Sequence, residues 1–485
     1  MNRRHFLQTA VAGTASKSTK RPNILFAIAD DWSWPFASIA GDRSVRTPAF
    51  DRIAREGVLF PHAYTVAPTC TASRGAVLTG QWFARLQQGA NLWSSLPAKF
   101  DVYPDLLEAS GYLVGYTGKG WGPGNFEAGG RKRNPAGPEY SERKAKPPAS
   151  GMSANDYAAN FSDFLRKRNG GQPFCFWYGG IEPHRVYEAG SGLRSGKQLG
   201  DVRVPRCLPD APEVRSDLLD YALEIDWFDT HLGRMLQTLE QAGELEDTVI
   251  AVTGDNGLPF PRCKANLYGC GTNVPLAVRW GKAVPKGRTV EDFVSLSDLA
   301  PTFLEAAGLK PTAGMTGRSL LDMLRSGKSG FVDRRRSQVF TGRERHTQAQ
   351  PDGGGGYPSR ALRTRDFLYV RNYHPERRPA GYDTGKADAF RDIDAGPAKT
   401  YMLANRSAAP VANLFELAVG KRPAEELYDL RSDPGELRNV AGEAAFREVK
   451  KKMAADLQKQ LKDWADPRAL DTGDEFDGYE YFGKY

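Results

Sequence analysis

No apolar run in this 485-residue chain approaches the ~18–20 residues that a membrane-spanning helix needs. No integral membrane segment is expected, and the mature protein should be soluble. Cysteine is scarce: five residues (Cys70, Cys175, Cys207, Cys263, Cys270) make an odd number in so long a chain, which excludes a disulfide scaffold and leaves at least one thiol over. Histidine, at six, is almost as rare. Zinc-finger and RNP spacings are absent, and the basic residues are scattered rather than gathered in a stripe, so nucleic acid is not the expected partner. The excess of 66 Lys plus Arg over 58 Asp plus Glu, a net +8, suits an anionic partner, and a sulfated or carboxylated polymer fits it.

What is present is ordinary globular composition, 40% apolar, 26% charged and 11% aromatic, which excludes disorder, collagen and coiled coil. The length fits two to four domains, or an unusually large α/β unit with a companion. Met1-Asn2-Arg3-Arg4-His5-Phe6-Leu7 followed by small residues resembles a twin-arginine export signal, so an exported, periplasmic or secreted protein is expected and residues 1–20 are set apart from the fold. From Pro22 onward strands alternate with helices, which predicts a mostly parallel sheet. Strands are predicted at 23–29, 112–116, 173–178, 248–253 and 274–278, and helices at 155–168 and 217–242. The Gly/Pro/basic stretch 122–151 must be loop. After a Gly-rich break at 352–356 the pattern changes to strands near 367–370 and 427–430 and a long amphipathic C-terminal helix. Residues 21–359 are therefore read as the main domain and 360–485 as a smaller α+β domain, an antiparallel sheet plus that helix.

The first predicted strand ends in Asp30-Asp31, and the 248–253 strand runs into Gly254-Asp255-Asn256-Gly257. Either pair alone could be a turn or a helix cap. In parallel α/β sheets, however, the carboxyl ends of strands converge on the binding crevice. Three carboxylates and an amide meeting there would repel without a counter-charge, and an oxygen-only donor set favours Ca²⁺ or Mg²⁺ over Zn²⁺. Cys70-Thr71-Ala72-Ser73-Arg74 precedes a helical run, placing Cys70 at a helix N-terminus, where unpaired N–H groups favour negative charge. Asp298 opens another predicted helix and is read as a cap.

Taken together, these motifs resemble the type I, formylglycine-dependent sulfatases of the alkaline phosphatase superfamily. The same order continues through Tyr116-Thr117-Gly118-Lys119 to Glu426-Leu427-Tyr428-Asp429-Leu430, and the resemblance covers nearly all of residues 21–485. Within that family, Glu182-Pro183-His184-Arg185 and the stretch from Asp255 to Pro261 look most like the heparan N-sulfatases (sulfamidases) and their bacterial relatives. The resemblance implies an alkaline-phosphatase-like sheet sandwiched by helices. It implies that a maturation enzyme oxidises Cys70 to formylglycine, whose hydrate attacks sulfur and later expels sulfate. It also implies one Ca²⁺ held by Asp30, Asp31, Asp255, Asn256 and the modified residue 70. Arg74 would pair with that modified side chain, Lys119 and Lys264 would neutralise the sulfate, and His184 would protonate the leaving atom, histidine being the side chain that ordinarily titrates nearest neutrality. His346 and Arg360 are candidates for contacting the sugar.

Three positions depart from the family pattern. Trp121 stands where the family carries a histidine, Ala72 where the common aerobic maturation motif has proline, and Lys264 where sulfamidases have arginine. The expected substrate is a sulfated carbohydrate, with an N-sulfoglucosamine group ahead of an O-sulfate. A phosphatase or phosphodiesterase of the same superfamily, and a non-catalytic sulfated-glycan binder, are the competing readings.

Overall fold

Every residue of β1 (Asn23–Ala29) is buried. Leu25, Ala27 and Ala29 enter one core while Ile24, Phe26 and Ile28 enter another on the opposite face. A strand covered on both faces is apolar throughout, which is why this segment reads as a continuous run rather than an alternating one. The structure, a computed structural model, describes residues 21–351, 355–385 and 389–483. The twin-arginine stretch, residues 1–20, and residues 352–354 of the Gly-rich break lie outside the described residues.

The large sheet has seven strands: β1, β2 (Val58–Leu59), β4 (Leu113–Gly118), β5 (Phe174–Gly179), β6 (Thr248–Gly254), β8 (Leu276–Arg279) and β9 (Arg288–Thr289), in the order β4-β5-β1-β6-β8-β2-β9. The first four neighbours in that order run parallel, and β8 runs antiparallel to β6. A three-stranded sheet pairs β3 (Ala63–Tyr64) with β7 (Asn273–Val274) and β10 (Val294–Ser295). One face of the large sheet is covered by the helices Pro48–Glu56, Tyr157–Leu165 and Pro212–Gln241, and the other by Cys70–Thr79, Tyr103–Ala109 and Leu299–Ala306. This is the sandwich the sequence predicts. The stretch 122–151 carries no helix and only isolated bridges, as its composition requires. The cap expected of Asp298 is corrected: Ser295 is the N-cap of a reciprocal capping box in which Asp298 is the N3 partner, and at the head of the Leu299–Ala306 helix the Asp298 side chain makes no cap hydrogen bond.

The register sets the position of the site. Gly118 pairs with Gly179, Ile28 with Gly179, and Ala29 with Gly254, so β4, β5, β1 and β6 finish level. Glycine is needed at this edge, because a Cβ on Gly179 would lie 1.8 Å from the Lys119 carbonyl oxygen.

The second sheet is antiparallel, in the order β11 (Gln338–Arg343), β12 (Ser359–Thr364), β13 (Phe367–Asn372) and β14 (Glu425–Asp429). The Arg447–Asp463 helix packs on it through Met453, Leu457 and Leu461. The boundary expected between residues 359 and 360 is corrected here. It cuts through β12, and β11 lies upstream of it, so the Gly-rich break joins two strands of one sheet rather than two domains. Nor is the core of this unit separate, since Ala72 and Ala76 from the back of the Cys70–Thr79 helix pack into it.

Candidate active site

Four adjacent strand ends deliver the chemistry. β1 presents Asp30 and Asp31, β6 presents Asp255 and Asn256, β4 presents Lys119, and the chain leaving β5 presents Glu182 and His184. The backbone stitches these ends together: Asp30 N–H donates to the Glu182 carbonyl at 3.1 Å, Asp255 N–H to the Ala29 carbonyl at 3.0 Å, and Asp31 N–H to the Asp255 carboxylate at 3.0 Å. Asp31 adopts a left-handed conformation, φ 70°, which turns its side chain back toward Asp255 and Asn256.

Cys70 is the first residue of the Cys70–Thr79 helix, and its thiol donates to Asp30 at 3.1 Å. One ligand atom each from Asp30, Asp31, Cys70 and Asp255 lies within 4.8 Å of the others. Ser73 and Arg74, from the same motif, both grip Asp255. The Ser73 hydroxyl donates to its carbonyl at 2.5 Å, and Arg74 Nε donates to its carboxylate at 2.7 Å. Arg74 also donates to the Lys119 and Gly120 carbonyls, at 2.6 and 3.1 Å, and is fully buried. The Arg74 guanidinium thus holds Asp255, and through it the end of β6.

Each carboxylate has its own cation. Lys119 pairs with Asp30, Lys264 with Asp31 at 2.8 Å, and Arg74 with Asp255. The argument that these carboxylates lack a counter-charge is therefore overturned, because the cations arrive from parts of the chain remote in sequence. Balance is nonetheless uneven. Burial would raise the pKa of Asp30, but Lys119, His184, Arg74 and Lys264 hold it well below the usual carboxylate range. Burial and the Asp30 charge push Asp255 the other way, up to about 6, against Arg74 and Lys119. Burial and Asp30 also push the Cys70 thiol well up. Asn256 donates its amide N–H to Asp31, yet its buried Oδ1 has no partner. An unpartnered buried amide oxygen beside three carboxylates is an oxygen donor set, so these residues suit the oxygen-liganded metal that the sequence suggests.

His184 stands at the rim with its side chain 33% exposed, Nε2 3.9 Å from the Asp31 carboxylate. Its Nδ1 lies 2.5 Å from the Arg185 carbonyl, which can only accept, so Nδ1 is the donor there and Nε2 is the ring nitrogen that faces the site. Arg185 is fixed beneath it by a bidentate pair with Asp217, both contacts 2.8 Å. Trp121 is buried in the core, and its indole N–H has no partner, so it supplies no proton-transfer group.

The two expected sugar contacts are both buried. Arg360 is 0% exposed and clamped between Glu344 and Asp466, each at 2.7 Å, so it braces β12 and cannot reach a substrate. His346 is buried 3.7 Å from Asp392, and burial lowers its pKa to about 4, which keeps it neutral. One site residue has no sequence signal. Asp394 pairs with Lys264 at 3.0 Å from a loop far downstream of any recognisable motif; burial would raise its pKa, but Lys264 and then His184 hold it well below the ordinary range.

A level row of strand ends carrying carboxylates, three cations and a helix-initiating cysteine defines a hydrolytic centre for an anionic group. Residues 22–309 match the family described as Sulfatase, and the chain belongs to the sulfatase family, hydrolases of sulfuric esters or sulfamates. An ulvan-active sulfatase of Formosa agariphila is 27% identical over 93% of this chain and 76% of its own length. The human N-sulphoglucosamine sulphohydrolase is 27% identical over 92% of this chain and 91% of its own. Among solved structures, a protein in complex with its substrate D-glucosamine-2-N,6-O-disulfate superposes with a TM-score of 0.67 at 21% identity, covering 92% of this chain and 99% of that one. The alkaline-phosphatase-like α/β fold expected from the sequence is the fold observed.

Proposed function

We propose that this sulfatase releases sulfate from a glycosaminoglycan-type carbohydrate, with N-sulfated glucosamine the preferred group, through a formylglycine made from Cys70 and one Ca²⁺. The observation that carries the reading is Cys70 at the head of its helix, hydrogen-bonded to Asp30 and within reach of Asp31 and Asp255. Similarity to the human sulfohydrolase supports the N-sulfate preference. Similarity to the ulvan-active enzyme supports a second reading, O-desulfation.

Asp30, Asp31, Asp255 and Asn256 would hold the ion, with residue 70. When bound, it would supply Lewis-acid stabilisation to the nucleophile and to the sulfuryl oxygens. The other residues have separable tasks. Ser73 and Arg74 fix Asp255; Lys119 and Lys264 set positive charge where the sulfuryl oxygens gather negative charge. His184, its Nδ1 anchored on the Arg185 carbonyl, offers Nε2 to the leaving atom. A maturation enzyme acting on the Cys70–Arg74 motif, and export directed by Arg3-Arg4, belong to the same proposal.

A panel of N-, 2-O-, 3-O- and 6-O-sulfated glucosamines assayed for free sulfate tests the specificity. Release from the N-sulfate alone supports the first reading, and release only from an O-sulfate replaces it with the second. His184→Ala is expected to slow sulfated sugars by about 10²–10⁴-fold and activated aryl sulfates far less, because a good leaving group needs no proton. Equal losses on both would remove the acid role. Ca²⁺ at ~100 times its dissociation constant should stabilise the fold by about 2.7 kcal/mol. A melting temperature that chelator and Ca²⁺ both leave unmoved would count against the ion site.

A further inference from the structure

Three of the five cysteines converge away from Cys70. Cys207, Cys263 and Cys270 offer sulfurs that all lie within 4.8 Å of one another, with Cys207 Sγ 3.7 Å from Cys263 Sγ. They come from separate segments: Cys207 precedes the Pro212–Gln241 helix, Cys263 lies in the loop after β6, and Cys270 sits in the short Gly269–Thr272 helix. All three are free thiols. Cys207 and Cys263 are buried, while Cys207 and Cys270 also line a cleft of about 620 Å³ that includes Phe36, Arg206 and Glu436.

A buried cation adjoins the cluster, because Arg262 directly precedes Cys263 in the chain. The buried Arg262 guanidinium lies 3.9 Å over the Tyr268 ring and is held by the Leu417 and Glu436 carbonyls. Cys207 and Cys263 are within hydrogen-bonding reach of each other, and the Cys270 thiol faces the Arg262 carbonyl at 4.0 Å. The cluster offers sulfur donors only, in contrast to the oxygen donors at Asp30 and Asp255. A metal–sulfur bond of ~2.3 Å in a tetrahedron spaces neighbouring sulfurs by about 3.8 Å, close to the 3.7 Å between Cys207 and Cys263.

We infer that Cys207, Cys263 and Cys270 form a three-sulfur site for a single thiophilic divalent cation of the zinc class, its fourth position open to the cleft. Three thiolates, the ion and Arg262 then sum to zero charge, and loading expels the protons that the thiols still carry. The fourth ligand is a water from the cleft. Such an ion would also brace the active-site loop. Cys263 directly precedes Lys264, and the loop is pinned on both sides by left-handed residues, Arg262 at φ 67° and Ala265 at φ 57°. This proposal does not depend on the sulfate reading, because its donors and its ion are of a different kind.

The test uses the full chain carrying Cys70→Ala, so that no thiol from the sulfate site contributes, and Cd²⁺ as the probe. One Cd²⁺ per chain is expected, with an ultraviolet sulfur-to-cadmium charge-transfer band of three-thiolate strength that excess Ca²⁺ does not reduce. Zn²⁺ should compete it away. Cys207→Ser and Cys263→Ser, each added separately and each checked for native circular dichroism, should lose the band's full strength and bind Cd²⁺ at least about tenfold more weakly. The proposal is overturned if the band is absent, if both folded variants keep it, or if peptide mapping under non-reducing conditions finds two of the three cysteines joined as a disulfide.

Discussion

Cys70→Ala is expected to cut sulfate release by on the order of 10⁴- to 10⁶-fold, the scale at which removal of a covalent nucleophile is felt. The fold should scarcely notice. The lost thiol makes one hydrogen bond, to an Asp30 that keeps its Lys119 partner, so the stability cost is about 1 kcal/mol. Cys70→Ser separates nucleophilicity from turnover. A serine can accept the sulfuryl group, but its ester has no second hydroxyl from which to expel sulfate. Mass spectrometry after incubation with substrate should find one SO₃ retained on the peptide and no cycling. Turnover by Cys70→Ala near the parent's rate would remove residue 70 from the chemistry altogether.

The second large effect concerns stability. Arg74 and Asp255 are both 0% exposed and 2.7 Å apart. Deleting the guanidinium with Arg74→Leu leaves a buried carboxylate facing Asp30 and Asp31 without its partner, a change that costs about 3–5 kcal/mol. Adding Asp255→Asn removes the stranded charge, so the double variant should be more stable than Arg74→Leu alone although it carries one more substitution. Chemical denaturation of the four proteins reads this directly. Strictly additive losses would mean that the pair is not coupled and that Arg74 acts only through its two carbonyl contacts.

How much of this was legible in the sequence depends on range. The strand-terminal acidic pairs, the cysteine at a helix start and the alternation of strands and helices are local patterns, and the structure assembles them as read. The partnerships were not legible. That Arg74 faces Asp255, Lys119 faces Asp30 and Lys264 faces Asp31 follows from which strands are neighbours and where they stop, and neither is written in any window of a few residues. Asp394 joins the site from a loop with no periodicity to mark it. Arg360 was misread for the opposite reason. A charged residue on a short strand looks like surface until Glu344 and Asp466 are seen to enclose it. The small sheet's extent was missed because β11 and β12 are separated by a Gly-rich stretch that resembles a linker and is only their connection.

The level finish of β4, β5, β1 and β6 bears on how this enzyme fails. Its carboxylates, Asn256 and Lys119 hang from the innermost hydrogen-bonded ladder of the molecule, not from a flap that can peel away by itself. Amide protons just behind those groups should exchange only when the entire sheet opens. Heating should therefore extinguish catalysis along the same curve that melts the whole body, with no interval in which an intact shell encloses a scrambled centre.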